Sequence, residues 1–306
     1  MPAAEDDAGE DATLADAPPR YRHLVPMHPG DGVSETPFFL VAGMFGNVLN
    51  LRHLAHQIGT DRPFYGVQAR GLFGDDDPHE TFEEMAADYL DEVRSVQPHG
   101  PYLLGGFSGG GIAALEMAQQ LHAAGEEVAL LVMLDTPVPY ETPLTVQDRA
   151  QLQWQKLRES GVGYVKEWAV NRIAWEKEKR RRAEGAAATD EGALHSEVIE
   201  SAFYRALERY QLRPYGGVVT LFRPKLNTAH VLGPDRQIDI NRRFLLHDNG
   251  WGPHCERVDV TEVPGDHDSM VLEPSVRVLA GHIRAAIEDA DAGHVAAHAV
   301  RVASGT

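Results

Sequence analysis

Between residues 37 and 134 the chain alternates between short apolar runs and longer stretches of helical periodicity. The runs at 37–41, 64–67, 102–106 and 128–134 are short, apolar and bounded by Gly or Pro, so they read as buried strands. Between them, 48–58 places Leu51, Leu54, Ala55 and Ile58 at helical spacing. Residues 81–96 repeat Phe82, Met85, Ala86, Tyr89 and Val93 at intervals of three and four, with Glu83, Glu84, Asp88 and Asp91 facing outward. Thr81 followed by Glu84 is a capping-box pattern, and the Pro98 to Pro101 stretch ends that helix. Residues 109–124 predict a further, Ala-rich helix. Alternation of this kind predicts a mostly parallel sheet with helices on its faces. Right-handed crossovers then gather the C-terminal strand ends on one edge, where such sheets bind ligands.

The remaining sequence bounds this architecture. Its 306 residues suffice for one large α/β domain or two small ones, and 43 % apolar against 24 % charged residues supports a sizeable core. The formal net charge of −18 argues against a nucleic-acid partner, which needs clustered Lys and Arg. A single cysteine, Cys255, rules out an intramolecular disulfide and fits a reducing, cytoplasmic setting. Nothing beside it suggests an activated thiolate. No apolar run approaches the roughly 20 residues of a membrane span, and no secretory signal opens the chain.

Residues 1–20 are rich in Ala, Asp, Glu and Pro without apolar periodicity, and read as a flexible acidic linker. A short strand is expected near 22–26. From 140 to 213 the strand signal disappears, and a helical insertion above the sheet is expected. The sheet pattern returns at 218–222 and 258–263. Residues 271–287 predict a closing helix, and 289–306 a frayed C-terminal tail.

Gly106-Phe107-Ser108-Gly109-Gly110 carries the pattern G-x-S-x-G between a predicted strand and a predicted helix. That context makes it a nucleophile-elbow candidate. The turn is tight, Ser108 projects above the sheet edge, and Gly106 and Gly110 leave room for close backbone approach. The Gly109 amide opens a helix and can face a developing oxyanion. A phosphate loop is the competing use of such glycines, but it needs a Lys-Ser/Thr pair, and none follows Gly111.

A serine nucleophile needs a base and an acid to orient that base. Among fifteen histidines, His267 alone lies in a loop between the last predicted strand and the closing helix. Asp135 directly follows the 128–134 strand, which puts its carboxylate at the same edge as Ser108. Its competing role is a turn cap before Thr136-Pro137, and Asp235 is the alternative acid. Asp266 and Asp268 flank His267 too closely in sequence for triad geometry. A second oxyanion amide is expected in the loop after 37–41, from Met44, with Phe45 next.

These segments together resemble the type I thioesterase domains of polyketide synthases and non-ribosomal peptide synthetases. The matching pieces are Gly-Pro-Tyr-Leu-Leu-Gly-Gly-Phe-Ser108-Gly-Gly, Leu-Leu-Val-Met-Leu-Asp135-Thr-Pro, Arg213-Pro-Tyr-Gly-Gly-Val-Val-Thr-Leu-Phe-Arg223 and Val263-Pro-Gly-Asp-His267-Asp-Ser-Met270. The resemblance implies an α/β-hydrolase fold over 21–288, with a core of 21–139 and 214–288 and a helical lid at 140–213. It supports Asp135 over Asp235. One departure is the oxyanion loop, where many members have His-Pro-x-Gly-Gly and this chain has Ala42-Gly43-Met44-Phe45-Gly46.

The resemblance further implies a chain-terminating thioesterase acting in antibiotic-type biosynthesis. Its substrate would be an acyl or peptidyl chain on the phosphopantetheine arm of a carrier protein in the same synthase. Neither a cofactor nor a metal of its own is expected. Release would be by hydrolysis or by macrocyclisation. The alternatives are a stand-alone editing thioesterase, a carboxylesterase, or a non-catalytic module of the same fold. In the insertion, Trp154, Trp168 and Trp175 either line an acyl channel or pack helices together. The basic run at 177–182 either meets an acidic carrier or forms a solvated helix face.

Overall fold

A computed structural model of the chain describes residues 21–304, except 33–35, 60, 74–75, 141–143, 161–190, 227, 234–235 and 240–244. Seven strands form the central sheet: β1 (Leu24–His28), β2 (Phe38–Val41), β3 (Phe64–Val67), β4 (Tyr102–Phe107), β5 (Val128–Leu134), β6 (Tyr215–Pro224) and β10 (Cys255–Val263). Their order is β1-β3-β2-β4-β5-β6-β10. Every neighbouring pair is parallel except β1 with β3.

Helices cover both faces: α1 (Arg52–Ile58), α2 (Phe82–Val96), α3 (Gly110–Ala123) and α6 (Val276–Ser304). The pleat explains why the strands read as continuous apolar runs. In β2, Phe39 and Val41 pack toward α2 and α3, while Phe38 and Leu40 pack toward α1 and α6. In β5, Leu131 and Met133 take the first side and Leu130, Val132 and Leu134 the second. Both faces are buried, so every position is apolar. At the N-terminus of α2, the Thr81 side chain accepts from the Glu84 amide at 3.2 Å.

Among the described residues of the segment 140–213, two helices are seen, α4 (Val146–Ser160) and α5 (Glu191–Arg209). In α5, Ile199, Ala202, Phe203 and Ala206 form a buried stripe at helical spacing, extended just past the helix end by Tyr210. This stripe docks on α2, where the Phe203 and Phe82 rings meet edge-on at 5.2 Å. Beneath it the carboxylate of Glu116 on α3, only 1 % exposed, accepts from Tyr210 Oη at 3.0 Å and from Arg213 Nη2 at 3.0 and 3.2 Å.

Among the described residues the structure departs from the sequence expectations in two places, while the expected linker at 1–20 lies outside them. A small antiparallel sheet, β7 (Thr228–Gly233), β8 (Arg236–Asp239) and β9 (Leu245–Leu246), lies between β6 and β10 and was not expected. The closing helix begins later than expected and continues through most of the segment read as a frayed tail, ending at Ser304. Two contacts on that extension explain it. Asp291 receives Arg62 Nη2 at 2.5 Å, and His294 Nδ1 lies 3.2 Å from a Glu127 carboxylate oxygen. Among the described residues no helix is long and apolar enough to cross a membrane.

Candidate active site

Register brings the strand ends together. Val41 is paired with Gly106, Phe107 with Leu134, and Leu134 with Phe222. The residues that follow β2, β4, β5 and β10 therefore emerge on one edge of the sheet. They are Ala42 to Met44, Ser108, Asp135, and the loop carrying His267.

Ser108 occupies the turn between β4 and α3 with φ 53°, in the left-handed region that non-glycine residues rarely adopt. Its amide is tied to Leu134 O at 2.8 Å, and the Thr136 hydroxyl donates to its carbonyl at 2.7 Å. The flanking glycines are a matter of space. A Cβ at Gly106 would run into the Gly110 backbone, and one at Gly110 into the Ala42 carbonyl. The two glycines of G-x-S-x-G thus let three segments of backbone pass closely where a side chain would force them apart.

His267 Nε2 lies 2.9 Å from Ser108 Oγ, and His267 Nδ1 lies 2.8 Å from Asp135 Oδ2. A carboxylate can only accept, so Nδ1 carries the hydrogen and Nε2 is left to accept from the serine hydroxyl. Phe107 stacks against the imidazole, with ring centroids 5.2 Å apart. Asp135 is 1 % exposed and has φ 51°; its amide donates to Phe222 O at 2.8 Å. The carboxylate thus stands at the tip of a central strand, out of water.

The expected oxyanion donors lie beside this chain. Gly109 caps α3, and a methyl placed on Gly43 would stand 3.6 Å from Ser108 Cβ, so the loop carrying Met44 passes the nucleophile closely. Among the described residues, neither the Gly109 nor the Met44 amide donates to another protein group. Both amides are available. An apolar pocket begins at this loop, with walls from Val41, Met44, Met85, Tyr89, Ile199 and Phe203. Phe45, the second choice of donor, is 53 % exposed.

Other candidates are placed elsewhere. The Asp266 carboxylate accepts from the Ser269 amide at 2.8 Å and the Ser269 hydroxyl at 2.6 Å, and so closes the His267 turn. Asp268 sits at the head of the short 3₁₀ turn Ser269–Val271. Asp235, Trp168, Trp175 and the run 177–182 lie outside the described residues. Trp154 is 60 % exposed on α4 and carries Arg158 over its ring at 5.5 Å. Burial pushes the Cys255 thiol up to about 11, which leaves it a poor nucleophile.

One group of side chains has metal-ligand composition. His23, His79 and Asp88 each offer a ligand atom within 4.8 Å of the others. Asp88 Oδ2 already accepts from His79 Nε2 at 2.7 Å and from Arg70 Nη1 at 2.9 Å. The guanidinium supplies the positive charge a metal would bring, and the group acts as a clamp between α2 and the loop after β3. Burial lowers the pKa of both histidines below the ordinary value, outweighing the pull of nearby carboxylates. For Asp88, burial opposes ionisation, but the His79 hydrogen bond and Arg70 outweigh it and hold the carboxyl low.

Sequence reasoning missed two residues around the acid. Asn249 Nδ2 donates to Asp135 Oδ1 at 3.2 Å and to Thr136 O at 3.3 Å; Trp251 Nε1 donates to Thr136 O at 2.8 Å. The available signal was the Asp248-Asn249-Gly250 string, which marks a tight turn but not its target.

Comparison with known proteins places this arrangement. The thioesterase-domain family profile matches residues 36–287. Malpinin synthetase of Mortierella alpina is 30 % identical over 262 residues, covering 82 % of this chain and 3 % of that protein. The polyketide synthase PksR of Bacillus subtilis is 40 % identical over 134 residues, covering 44 % of this chain and 5 % of its own length. The chain therefore spans only a small part of these relatives. In structure it resembles the NocB thioesterase domain, solved as a covalent complex with a fluorophosphonate nocardicin G analog. There the TM-score is 0.60 at 22 % identity, covering 87 % of this chain and 99 % of that one. Residues 36–287, with their parallel sheet and flanking helices, make this chain a member of the thioesterase-domain family on an α/β-hydrolase fold, related to polyketide and non-ribosomal peptide synthetases.

Proposed function

We propose that the chain is a chain-terminating serine thioesterase. It takes an acyl or peptidyl chain from the phosphopantetheine thioester of a carrier protein onto Ser108 and releases it to water or to a nucleophile of the chain itself. The observation that carries this reading is the continuous Ser108–His267–Asp135 hydrogen-bond chain, with links of 2.9 and 2.8 Å.

In the first half-reaction His267 Nε2 takes the Ser108 proton as Oγ attacks the thioester carbonyl. The carbonyl oxygen gains the negative charge and is held by the Gly109 and Met44 amides. Collapse breaks the carbon–sulfur bond, the imidazolium returns its proton to the departing thiolate, and an acyl ester remains on Ser108. In the second half, His267 takes a proton from water, or from a hydroxyl or amine of the acyl chain, which attacks the ester. Collapse breaks the bond between the acyl carbon and Ser108 Oγ, the imidazolium returns its proton to Oγ, and the product is a free acid with water or a ring with an internal nucleophile. Asp135 holds the imidazole tautomer and stabilises its charged form. None of these steps calls for a cofactor beyond the carrier's own arm. The apolar walls beside Met44 suit a hydrocarbon or side-chain surface of the acyl group. A cytoplasmic setting belongs to the same reading, because carrier-bound intermediates are made there.

The test is intact-mass spectrometry after mixing the protein with an acyl carrier-protein thioester. An acyl adduct and released thiol are expected, with both lost in Ser108→Ala. No adduct and no thiol release from the unmodified protein would overturn the proposal. Faster turnover of a simple ester than of the carrier thioester would make it a carboxylesterase instead.

A further inference from the structure

We infer that Asn249 is a positioning residue for this reaction, holding the Asp135 carboxylate in the orientation that serves His267. The inference rests on the reading of Ser108, His267 and Asp135 as nucleophile, base and acid.

The two carboxylate oxygens of Asp135 have different partners. Oδ2 meets His267 Nδ1 at 2.8 Å, and Oδ1 accepts from Asn249 Nδ2 at 3.2 Å. Asp135 is 1 % and Asn249 3 % exposed, so bulk water does not compete for these bonds. A buried carboxylate held at one oxygen can still swing about its Cβ–Cγ bond. Held at both, its plane is fixed, and with it the line from Oδ2 to the imidazole. The orientation of the Asn249 amide is itself determined, because both groups facing Nδ2, Asp135 Oδ1 and Thr136 O, can only accept. Asn249 Oδ1 is buried and finds no hydrogen-bond partner among the described residues.

The backbone supports the same conclusion. Among the described residues three non-glycine residues have positive φ: Ser108 at 53°, Asp135 at 51° and Asn249 at 52°. Strained backbone clusters where geometry has a task, and here the third such residue touches the second. The surrounding loop is built to hold it. Val138 N donates to Asn249 O at 3.0 Å, and the Asp248 carboxylate, turned away from the site, takes the amides of Gly250 and Gly252 at 2.9 and 2.7 Å. Asn249 therefore joins the turn after β9 to the tip of β5, from 114 residues away in sequence.

The left-handed φ also supplies clean variants, since Gly and Asp both tolerate it. Asn249→Gly keeps the backbone and removes the amide. Asn249→Asp keeps the shape and sets a second carboxylate against Asp135. Both are compared with the unmodified protein using an octanoyl N-acetylcysteamine thioester, following kcat, KM, the pH profile and Tm. Asn249→Gly is expected to lose about ten- to a hundredfold in kcat with KM changed by less than about twofold. For Asn249→Asp, the loss should be larger near pH 8 than near pH 6, because a protonated Asp can donate where a charged one repels. Trp251→Phe, which loses the bond to the Thr136 carbonyl but spares Asp135, separates loop stability from positioning; it should lower Tm and leave the shape of the pH profile alone. If Asn249→Gly keeps kcat within about twofold, or if Asn249→Asp only follows Tm with an unchanged profile, the inference is wrong. Absence of an acyl-Ser108 adduct in the unmodified protein would instead remove the reading beneath it.

Discussion

The floor of the site and the helices above it are held by different physics. On the floor, Ser108, Asp135 and Thr136 are fixed by buried hydrogen bonds to strand ends, and two of the three have left-handed φ. Above it, α5 is held by an apolar stripe and by exposed ion pairs, with Arg205 bidentate to Glu80 at 2.7 and 3.0 Å. Among the described residues α4 meets β7 through Gln151 and Gln155, which donate to Val231 O at 3.3 and 3.0 Å, and it buries one apolar side chain, Leu152. A short, directional, buried bond allows one geometry, whereas an apolar stripe allows sliding and exposed pairs are screened. The difference teaches a division: the floor allows one geometry, whereas the upper helices are held by contacts that leave room to shift.

That division can be broken by measurement. The largest effect should come from Asp135→Asn, which keeps the shape of the site but offers the imidazole a donor or a neutral acceptor. A loss on the order of 10³–10⁴-fold in kcat is expected with Tm nearly unchanged, read from thiol release and thermal melting. If instead Tm collapses, the floor is holding the fold rather than the chemistry. Phe203→Ala should behave in the opposite sense. Phe203 is 9 % exposed and packs on Phe82, so truncation should cost about 2–4 kcal/mol of stability and raise KM more than it lowers kcat. A kcat loss comparable with that of Asp135→Asn would erase the distinction between floor and cover.

The smallest effect sits beneath both regions. Burial disfavours the charged form of His23 and His79 and holds both pKa values below the ordinary histidine value of 6.5. As pH falls through 6.5 the unfolded chain binds protons first, so stability is full above that pH and drains away below it. Tm should therefore fall between about pH 6.5 and pH 5. His79→Gln, which can still donate to Asp88, should make that slope shallower, and an unchanged slope would remove His79 from the account.

Much of this was legible in the sequence for a physical reason: it is local. The β2-to-β5 alternation shows because each strand is buried on both faces and α1 and α2 each on one, while α3, buried over nearly its whole length, still reads as an unbroken Ala-rich run. Ser108 is marked by glycines that its own turn requires, and Asp135 by standing where an apolar strand stops. His267 is marked by lying between the last strand and the closing helix. What was not legible depends on distant partners. The extension of α6 past residue 288 looks like a polar, Ala-rich tail until Arg62, 229 residues from Asp291, is seen to pair with it. Strands β7 to β9 are two to six residues long, too short for an alternating pattern to stand out. Asn249 reads as an ordinary turn residue because its partner, Asp135, lies 114 residues away at the end of β5.

The contact between Arg62 and Asp291 bears on where this domain can be cut. Arg62 is 3 % exposed, and a second donor of its guanidinium goes to Thr36 O at 3.2 Å. A fragment trimmed to the family match, ending at residue 287, would leave that guanidinium in the interior without its counter-charge. The family match and the contacts that hold the closing helix thus end at different residues, because Asp291 and His294 lie about one and two helical turns past residue 287.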